Sequence, residues 1–499
     1  MSIGDLSYWN NWWGGNRGAI SNEKHIRDWS LSTFKWEPRL DKTIEDEEVI
    51  YVLRGPRRVG KTTLLKLRIQ RLLEKGITPE NVFYYPCDAL ETPNQLAKIV
   101  DTYLSTMRKK DEWAYLFIDE VSMLKDWQRA VKLLIDAGRF KDCTTILTGS
   151  HSIDLRKGSE SLAGRRGRID KLRYGTPDKI LLPAKFSEYI ETLKPVLSNK
   201  IRELWLLSLE RRKRMILELA KGRIPIELRK MVFFSKELET LFEQYLLTGG
   251  IASAIHEYTA SRRISRDTYG TFVHFVVRDI CRWGQDENYA RQILRRMIET
   301  LASQVSWNSL KEDTEISDHK TAGSYVKVLK DSFVVAYYYH LNVGKRSPYY
   351  RKEKKAYFQD PFIFHSCRSW VYGRDGFEAS LEFLSKTENR SKLVECVASN
   401  HISRFMFCLH PSSLFDPSNY VFYWRNKKRE VDFVIDLDGK FLPIEVKYSD
   451  NIQKDDVRGI SEFMKTGRSY DHGIITSKSL LEVNKNHTVV PLSILLLLT

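Results

Sequence analysis

Two groups of residues in this chain of 499 have types and spacings suited to chemistry. The first is Gly55, Pro56, Arg57, Arg58, Val59, Gly60, Lys61, Thr62 and Thr63, a glycine, four residues, then Gly-Lys-Thr. Glycines at those points let backbone N–H groups converge on phosphate oxygens, and a helix starting after them adds a favourable dipole. Lys61 is then expected to reach the β- and γ-phosphates of ATP, and Thr62 to hold Mg2+. The second group lies in VDFVIDLDGKFLPIEVKY, residues 431–448. Strand alternation sets Asp432 on the face opposite Val431, Phe433 and Ile435. After the Asp438-Gly439 turn, Glu445 and Lys447 share a face opposite Ile444 and Val446. Charge buried this way is costly unless compensated. Either the residues compensate one another, or oxygen ligands surround a metal ion.

Particular elements must hold these groups in place. The phosphate loop needs a strand before it and a helix after it, and VIYVL and TTLLKLRIQRLL supply them. About 58 residues beyond Lys61, AYLFIDEVSML reads as a parallel strand that delivers Asp119 to the magnesium and Glu120 to the attacking water. A third strand, TTILTGSHS, ends in Thr148, Ser150 and His151, groups suited to sensing a γ-phosphate, though taken alone a strand running into a polar turn is the more usual reading. For the second group, SKLVECVASNHI reads as a helix that presents Glu395.

Between the two groups the chain turns helical. NKIRELWLLSLERRKRMILELAKGR combines apolar helical spacing with a face crowded by Arg and Lys. ARQILRRMIETLASQ reads as a helix, Ser317 as the cap of DHKTAGSYVKVLKD, and FVVAYYYHL as a wing strand. That order looks like a winged helix, with Lys320, Lys327 and Lys330 on the solvent side, able to meet phosphates. GKRSPYYRKEKKAYFQD interleaves cations and rings, which suits either a strand-tracking groove or a charged linker.

The bulk numbers set limits. The length exceeds what one core supports, and roughly three or four domains are expected. With 80 Lys and Arg against 64 Asp and Glu the formal charge is +16, which favours a polyanionic partner, most often nucleic acid, over a membrane surface. Six scattered cysteines without a CxxC pair argue against zinc ribbons and disulfide frameworks, and a cytoplasmic setting is expected. The terminal VVPLSILLLLT is too short to span a bilayer and reads as a buried strand or helix.

The series GPRRVGKTT, LFIDE, LTGSHS, LAGRRGR and LLPAKFSEYI resembles the archaeal ATPase family of the AAA+ superfamily. The resemblance implies an α/β fold: a P-loop AAA+ parallel sheet, a helical lid containing LLTGGIASAI, a winged helix, and a C-terminal restriction-endonuclease-like domain. Its implied divisions are a Trp-rich strap at 1–48, the ATPase core at 49–185, the lid at 186–285, the winged helix at 286–350 and the nuclease-like domain at 351–499. It also implies an arginine finger at Arg165 (or Arg166), and hence a homo-oligomer, with a hexameric ring as one form. The helix-Glu, strand-Asp, Glu-x-Lys order resembles the PD-(D/E)xK nucleases, with twelve residues between Asp432 and Glu445 and Val431 where that pattern has proline. By that resemblance Glu395, Asp432 and Glu445 hold Mg2+ or Mn2+, and Lys447 polarises the attacking water. The alternative is an Asp-Lys-Glu salt-bridge cluster on a fold that has lost its chemistry. Trp9, Trp12 and Trp13 are expected to strap the ATPase core, with base stacking as the alternative. Three functions follow: an ATP-driven DNA-processing motor with a nuclease, a DNA-binding ATPase switch or scaffold that does not cut, and a signalling-type ATPase acting on proteins.

Overall fold

Apolar runs rich in β-branched and aromatic residues become the strands of two sheets. The computed structural model describes residues 3–149, 152–204, 208–412 and 415–499. The chain forms two compact units, Met1–Leu182 with Pro411–Ser413, and Pro183–His410 with Leu414–Thr499.

In the first unit, β1 (Ile50–Arg54), β2 (Val82–Pro86), β3 (Ala114–Asp119), β4 (Cys143–Gly149) and β5 (Asp178–Ile180) form a parallel sheet in the order β2-β3-β4-β1-β5. Strands buried on both faces read as continuous apolar runs, which is how these segments look in the sequence. Helices α1 (Lys61–Glu74), α2 (Pro93–Thr106) and α3 (Trp127–Asp136) connect them. The N-terminal segment packs on this unit. The indoles of Trp12 and Trp13 both donate to the carbonyl of Val82, at 3.0 and 3.1 Å, and Trp13 stacks on Tyr103. Asn10 accepts the backbone N–H of Tyr84 at 2.7 Å and donates to its carbonyl at 3.0 Å. Trp9 lies outside this packing, 37% exposed.

The second unit carries a mixed sheet of nine strands. They are β6 (Gln304–Val305), β7 (Val335–Asn342), β8 (Ser347–Phe358), β9 (Val421–Arg425), β10 (Glu430–Leu437), β11 (Lys440–Glu445), β12 (Gly473–Ser477), β13 (Glu482–Val483) and β14 (His487–Pro491). Their order is β13-β14-β12-β11-β10-β9-β7-β8-β6. The border expected between residues 350 and 351 falls inside β8. Moreover Leu341 of β7 shares a buried cluster with Phe422, Trp424, Val431, Val434, Phe441 and Phe463. Each such side chain contributes roughly 1.5–3 kcal/mol when fully buried, so the hairpin and the C-terminal strands stabilise one another.

The helices of this unit include α4 (Ser235–Thr248), α5 (Glu287–Glu299), α6 (Trp307–Lys311), α7 (His319–Asp331), α8 (Pro361–Tyr372), α9 (Thr387–Leu409), α10 (Lys454–Met464) and α11 (Leu492–Leu498). The expected basic helix is divided into Pro195–Glu203 and Leu209–Leu219, on either side of residues outside the described set. Its Arg212 donates to the carbonyls of Leu498 and Thr499. Helix α7 begins one residue later than expected, after Asp318 rather than Ser317. The terminal apolar run forms β14 and α11, buried throughout. α4 ends at Gly249, whose φ of 55° and ψ of −154° belong to a region open only to glycine. Gly250 N–H then donates to Asp360 Oδ2 at 2.8 Å, while Asp360 Oδ1 caps α8 through Phe362 N–H.

Candidate functional site

The phosphate loop joins β1 to α1. A side chain at position 55 would meet the carbonyl oxygen of Leu181 at 2.0 Å, so only glycine fits there. Arg58 (φ 60°) and Gly60 (φ 102°) bend Pro56–Val59 backward so that Lys61, Thr62 and Thr63 open the helix. The Lys61 ammonium, 4% exposed, donates to the carbonyls of Gly55 and Pro56, each at 3.0 Å. Thr62 Oγ1 donates to Asp119 Oδ2 at 2.7 Å. A hydroxyl beside a carboxylate at the N-terminus of a 14-residue helix is a donor set that fits a magnesium nucleotide.

Two supports of this site were not read from the sequence. Tyr84 donates to Asp119 Oδ2 at 3.0 Å, and the Thr148 hydroxyl donates to Asp119 Oδ1. Burial, then Asp119, raises the Tyr84 phenol well above its ordinary pKa, so it stays a donor. Thr148, expected to sense phosphate, is instead fully buried against Asp119 and accepts the Glu120 N–H at 3.2 Å. Glu120 follows in the left-handed region, at φ 52°, which turns its side chain away from the strand direction. Ser150 and His151 lie outside the described residues.

The two arginines of the finger motif separate. Arg166 is buried, donating to Asp178 Oδ2 and Ser159 Oγ at 2.7 Å each and to the Ile50 carbonyl at 3.0 Å. It is a strut within its own unit. Arg165 is exposed and pairs with Asp136 at 2.9 Å.

In the second unit the carboxylates do converge, on a residue the sequence reading had passed over. The Lys355 ammonium of β8, 2% exposed, lies 2.7 Å from Glu395 Oε1, 2.7 Å from Glu430 Oε1 and 2.9 Å from Asp432 Oδ1. Asp432 sits in a register shift between Val431 and Val434. Its second oxygen accepts the Val446 N–H at 2.9 Å. Tyr357 donates to Glu395 Oε1 at 2.5 Å. Glu445 stands apart from Lys355: its Oε1 lies 3.3 Å from Lys447, which is also 3.3 Å from Asp456. Glu445 Oε2 is buried with no hydrogen-bond partner among the described residues.

The electrostatics follow from this crowding. Burial, then the Asp432 charge, raises Glu395 to about 7 and raises Glu445 well above the carboxylate range. Burial opposes the Lys355 charge, yet Asp432 and Glu395 overcome it and hold its pKa well above the ordinary value. Among the described residues no group of three or more His, Cys, Asp or Glu could hold a metal ion. Of the three residues expected as metal ligands, Glu395 and Asp432 are drawn around Lys355, while Glu445 pairs with Lys447.

On α7, Lys320 and Lys327 are exposed, whereas Lys330 is half-buried against Asp416 at 3.1 Å. No helix among the described residues is long and apolar enough to cross a membrane.

Residues 47–190 match the AAA domain family, residues 239–371 a domain of unknown function (DUF8612), and residues 392–495 another (DUF4143). An uncharacterized protein of Haemophilus influenzae is 31% identical over 123 residues, which cover 24% of this chain and 27% of that relative. A Walker-type ATPase of Pyrococcus abyssi is 16% identical, with a TM-score of 0.39, covering 66% of this chain and 93% of that one. The Aeropyrum pernix ORC1 protein, solved in complex with DNA, is 13% identical with a TM-score of 0.27, covering 69% and 92%. The first unit thus carries a P-loop ATPase of the AAA type, matched over its loop, Asp119 strand and parallel sheet.

Proposed function

We propose that this chain is an ATP-hydrolysing DNA-binding switch, of the archaeal ATPase kind that its motifs resemble, whose C-terminal region holds DNA without cutting it. The observation that carries this reading is the Lys355 ammonium among Glu395, Glu430 and Asp432. It supplies the counter-charge that a metal-dependent nuclease takes from a divalent ion, and a tethered cation competes with any free one for the same oxygens. The charge of +16 and the exposed Lys320 and Lys327 support a polyanionic partner. The α5-α6-α7 helices followed by the β7-β8 hairpin support a winged helix as the part that meets duplex.

In this reading Lys61 neutralises the β- and γ-phosphates, Thr62 and Asp119 hold Mg2+, and Glu120 orients the attacking water. Arg165 reaches the nucleotide of a neighbouring copy in a homo-oligomer, which brings ATP turnover under the control of assembly.

A second reading, the metal-dependent nuclease, is favoured by Glu445. Its buried oxygen has no partner among the described residues, and burial, then the Asp432 charge, raises its pKa, so an entering divalent cation would find a free ligand oxygen there. End-labelled four-way junction and matched single strand, incubated in Mg2+ or Mn2+ with ATP, separate the two. DNA-stimulated ATP turnover without cuts is expected. Cuts that vanish in Asp432→Ala would establish the nuclease instead. An ATPase indifferent to DNA, with no DNA binding, would leave a protein-directed signalling ATPase.

A further inference from the structure

A cleft of about 880 Å³ opens in the second unit where the β7-β8 hairpin meets β9 and the turn after it. Its wall combines the rings of His340, Tyr349 and Tyr423 with the cations of Lys352, Arg425 and Lys427. Glu353 is the one acid among its described lining residues, and the Glu353 carbonyl accepts the Tyr423 hydroxyl at 2.6 Å. Tyr349, Lys352, Arg425 and Lys427 are exposed. His340 is only 6% exposed; its Nε2 meets the Arg425 carbonyl at 2.8 Å, and its Nδ1 has no hydrogen-bond partner among the described residues.

We infer that this cleft is a binding site for an unpaired stretch of DNA, distinct from the duplex-facing lysines of α7. The inference rests on the DNA-binding reading above. The exposed Tyr349 ring beside these cations fits a strand whose bases are free to stack while its phosphates meet ammonium and guanidinium groups, with the buried His340 and Tyr423 rings packed behind it. A duplex keeps its bases stacked on each other and offers no such faces. The volume lies in the range of about 300–1,000 Å³ typical of small-molecule pockets, which accepts one or two nucleotides and not a double helix.

The cleft also communicates with the carboxylate cluster through direct contacts. Arg425 donates to Gln304 Oε1 at 2.7 Å, and the Gln304 amide donates to Glu430, which shares Lys355 with Glu395 and Asp432. A strand in the cleft therefore lies one hydrogen-bonded step from the Lys355 cluster.

The test uses the full chain and fluorescence anisotropy with a labelled oligo-dT and a matched duplex, across a salt series. Lys352→Glu with Lys427→Glu is expected to weaken single-strand binding about tenfold or more while duplex affinity stays within about twofold. With both positive charges removed, the single-strand salt slope falls by about 1.4 or more. Tyr349→Ala, which leaves every cation in place, is expected to weaken the single strand and leave its salt slope unchanged. Unaltered single-strand affinity in all these variants, or equal losses for both DNAs, overturns the cleft assignment while DNA binding itself stands. A wild-type chain that binds neither DNA overturns the DNA-binding reading and this inference together.

Discussion

Lys355 Nζ lies 2.9 Å from Asp432 Oδ1, so the lysine that neutralises the hairpin acid comes from 77 residues earlier in the chain and not from Lys447. Removing one partner of a buried ion cluster leaves the others uncompensated. Lys355→Met is expected to destabilise the second unit by about 3–5 kcal/mol in urea unfolding. The loss should be smaller at pH 5 than at pH 8, because Glu395 and Glu445 then take up protons. An equal loss at both values would mean that packing, not charge, is what Lys355 supplies.

Glu395 gives the pH dependence a definite sign. Its folded-state pKa is raised from 4.5 to about 7 by burial and then by Asp432. Between those values the folded chain holds more protons than the unfolded one. This contribution to stability is therefore full below pH 4.5 and is lost as pH rises through about 7, at no more than about 1.4 kcal/mol per pH unit. Glu395→Gln should flatten this part of the pH profile in chemical denaturation; a wild-type slope retained in the variant would assign the effect elsewhere.

Much of the first site was legible because a phosphate loop is local. Glycine positions, the following Lys-Thr and an acid ending an apolar strand are all written along the chain, and the structure sets Thr62 against Asp119. The second site was half legible. Alternation and the Asp438-Gly439 turn are local signals, and both residues of that turn have positive φ. Lys355 was not legible, since it sits in a run of basic residues where nothing distinguishes the buried Lys354 and Lys355 from Lys352, which is exposed. Tyr84 was missed, and Thr148 was given a phosphate-sensing role, for a related reason: their polar ends meet Asp119 only once parallel strands bring them together. β8 runs across residue 350, and Leu341 and Val431 share a core that no local pattern records.

Lys61→Ala is expected to lower ATP turnover by about a hundredfold or more, with an unchanged circular dichroism spectrum. Turnover close to wild type would remove the phosphate loop from the mechanism.

Arg165 and Arg166 should respond differently to alanine. Arg166→Ala breaks the buried pair with Asp178 and should cost about 3–5 kcal/mol of stability. Arg165→Ala should leave stability within about 0.5 kcal/mol yet lower turnover about 10³-fold. Mixing Arg165→Ala with Lys61→Ala protein tests action between subunits, because each supplies what the other lacks. Recovered turnover supports a finger acting in trans, and none recovered sinks it.

At the turn after α4, Gly249→Ala would place a methyl 2.0 Å from Asp360 Oδ1 in a backbone conformation closed to alanine. A loss of more than about 3 kcal/mol is expected in thermal or urea unfolding. A loss under about 1 kcal/mol would show that Asp360 and the α8 cap yield at little cost.

The side chain of Asn10 has a consequence for solubility. β2 is the outer strand of the five-stranded sheet, and an outer strand offers bare N–H and C=O groups on which a second chain can pair. Asn10 covers both backbone groups of Tyr84, and the two indoles share the carbonyl of Val82. A single amide thus imitates a neighbouring strand for one residue, and the tryptophans shield the next position. Stripped of this segment, the parallel sheet would present an adhesive margin on which other chains could pair.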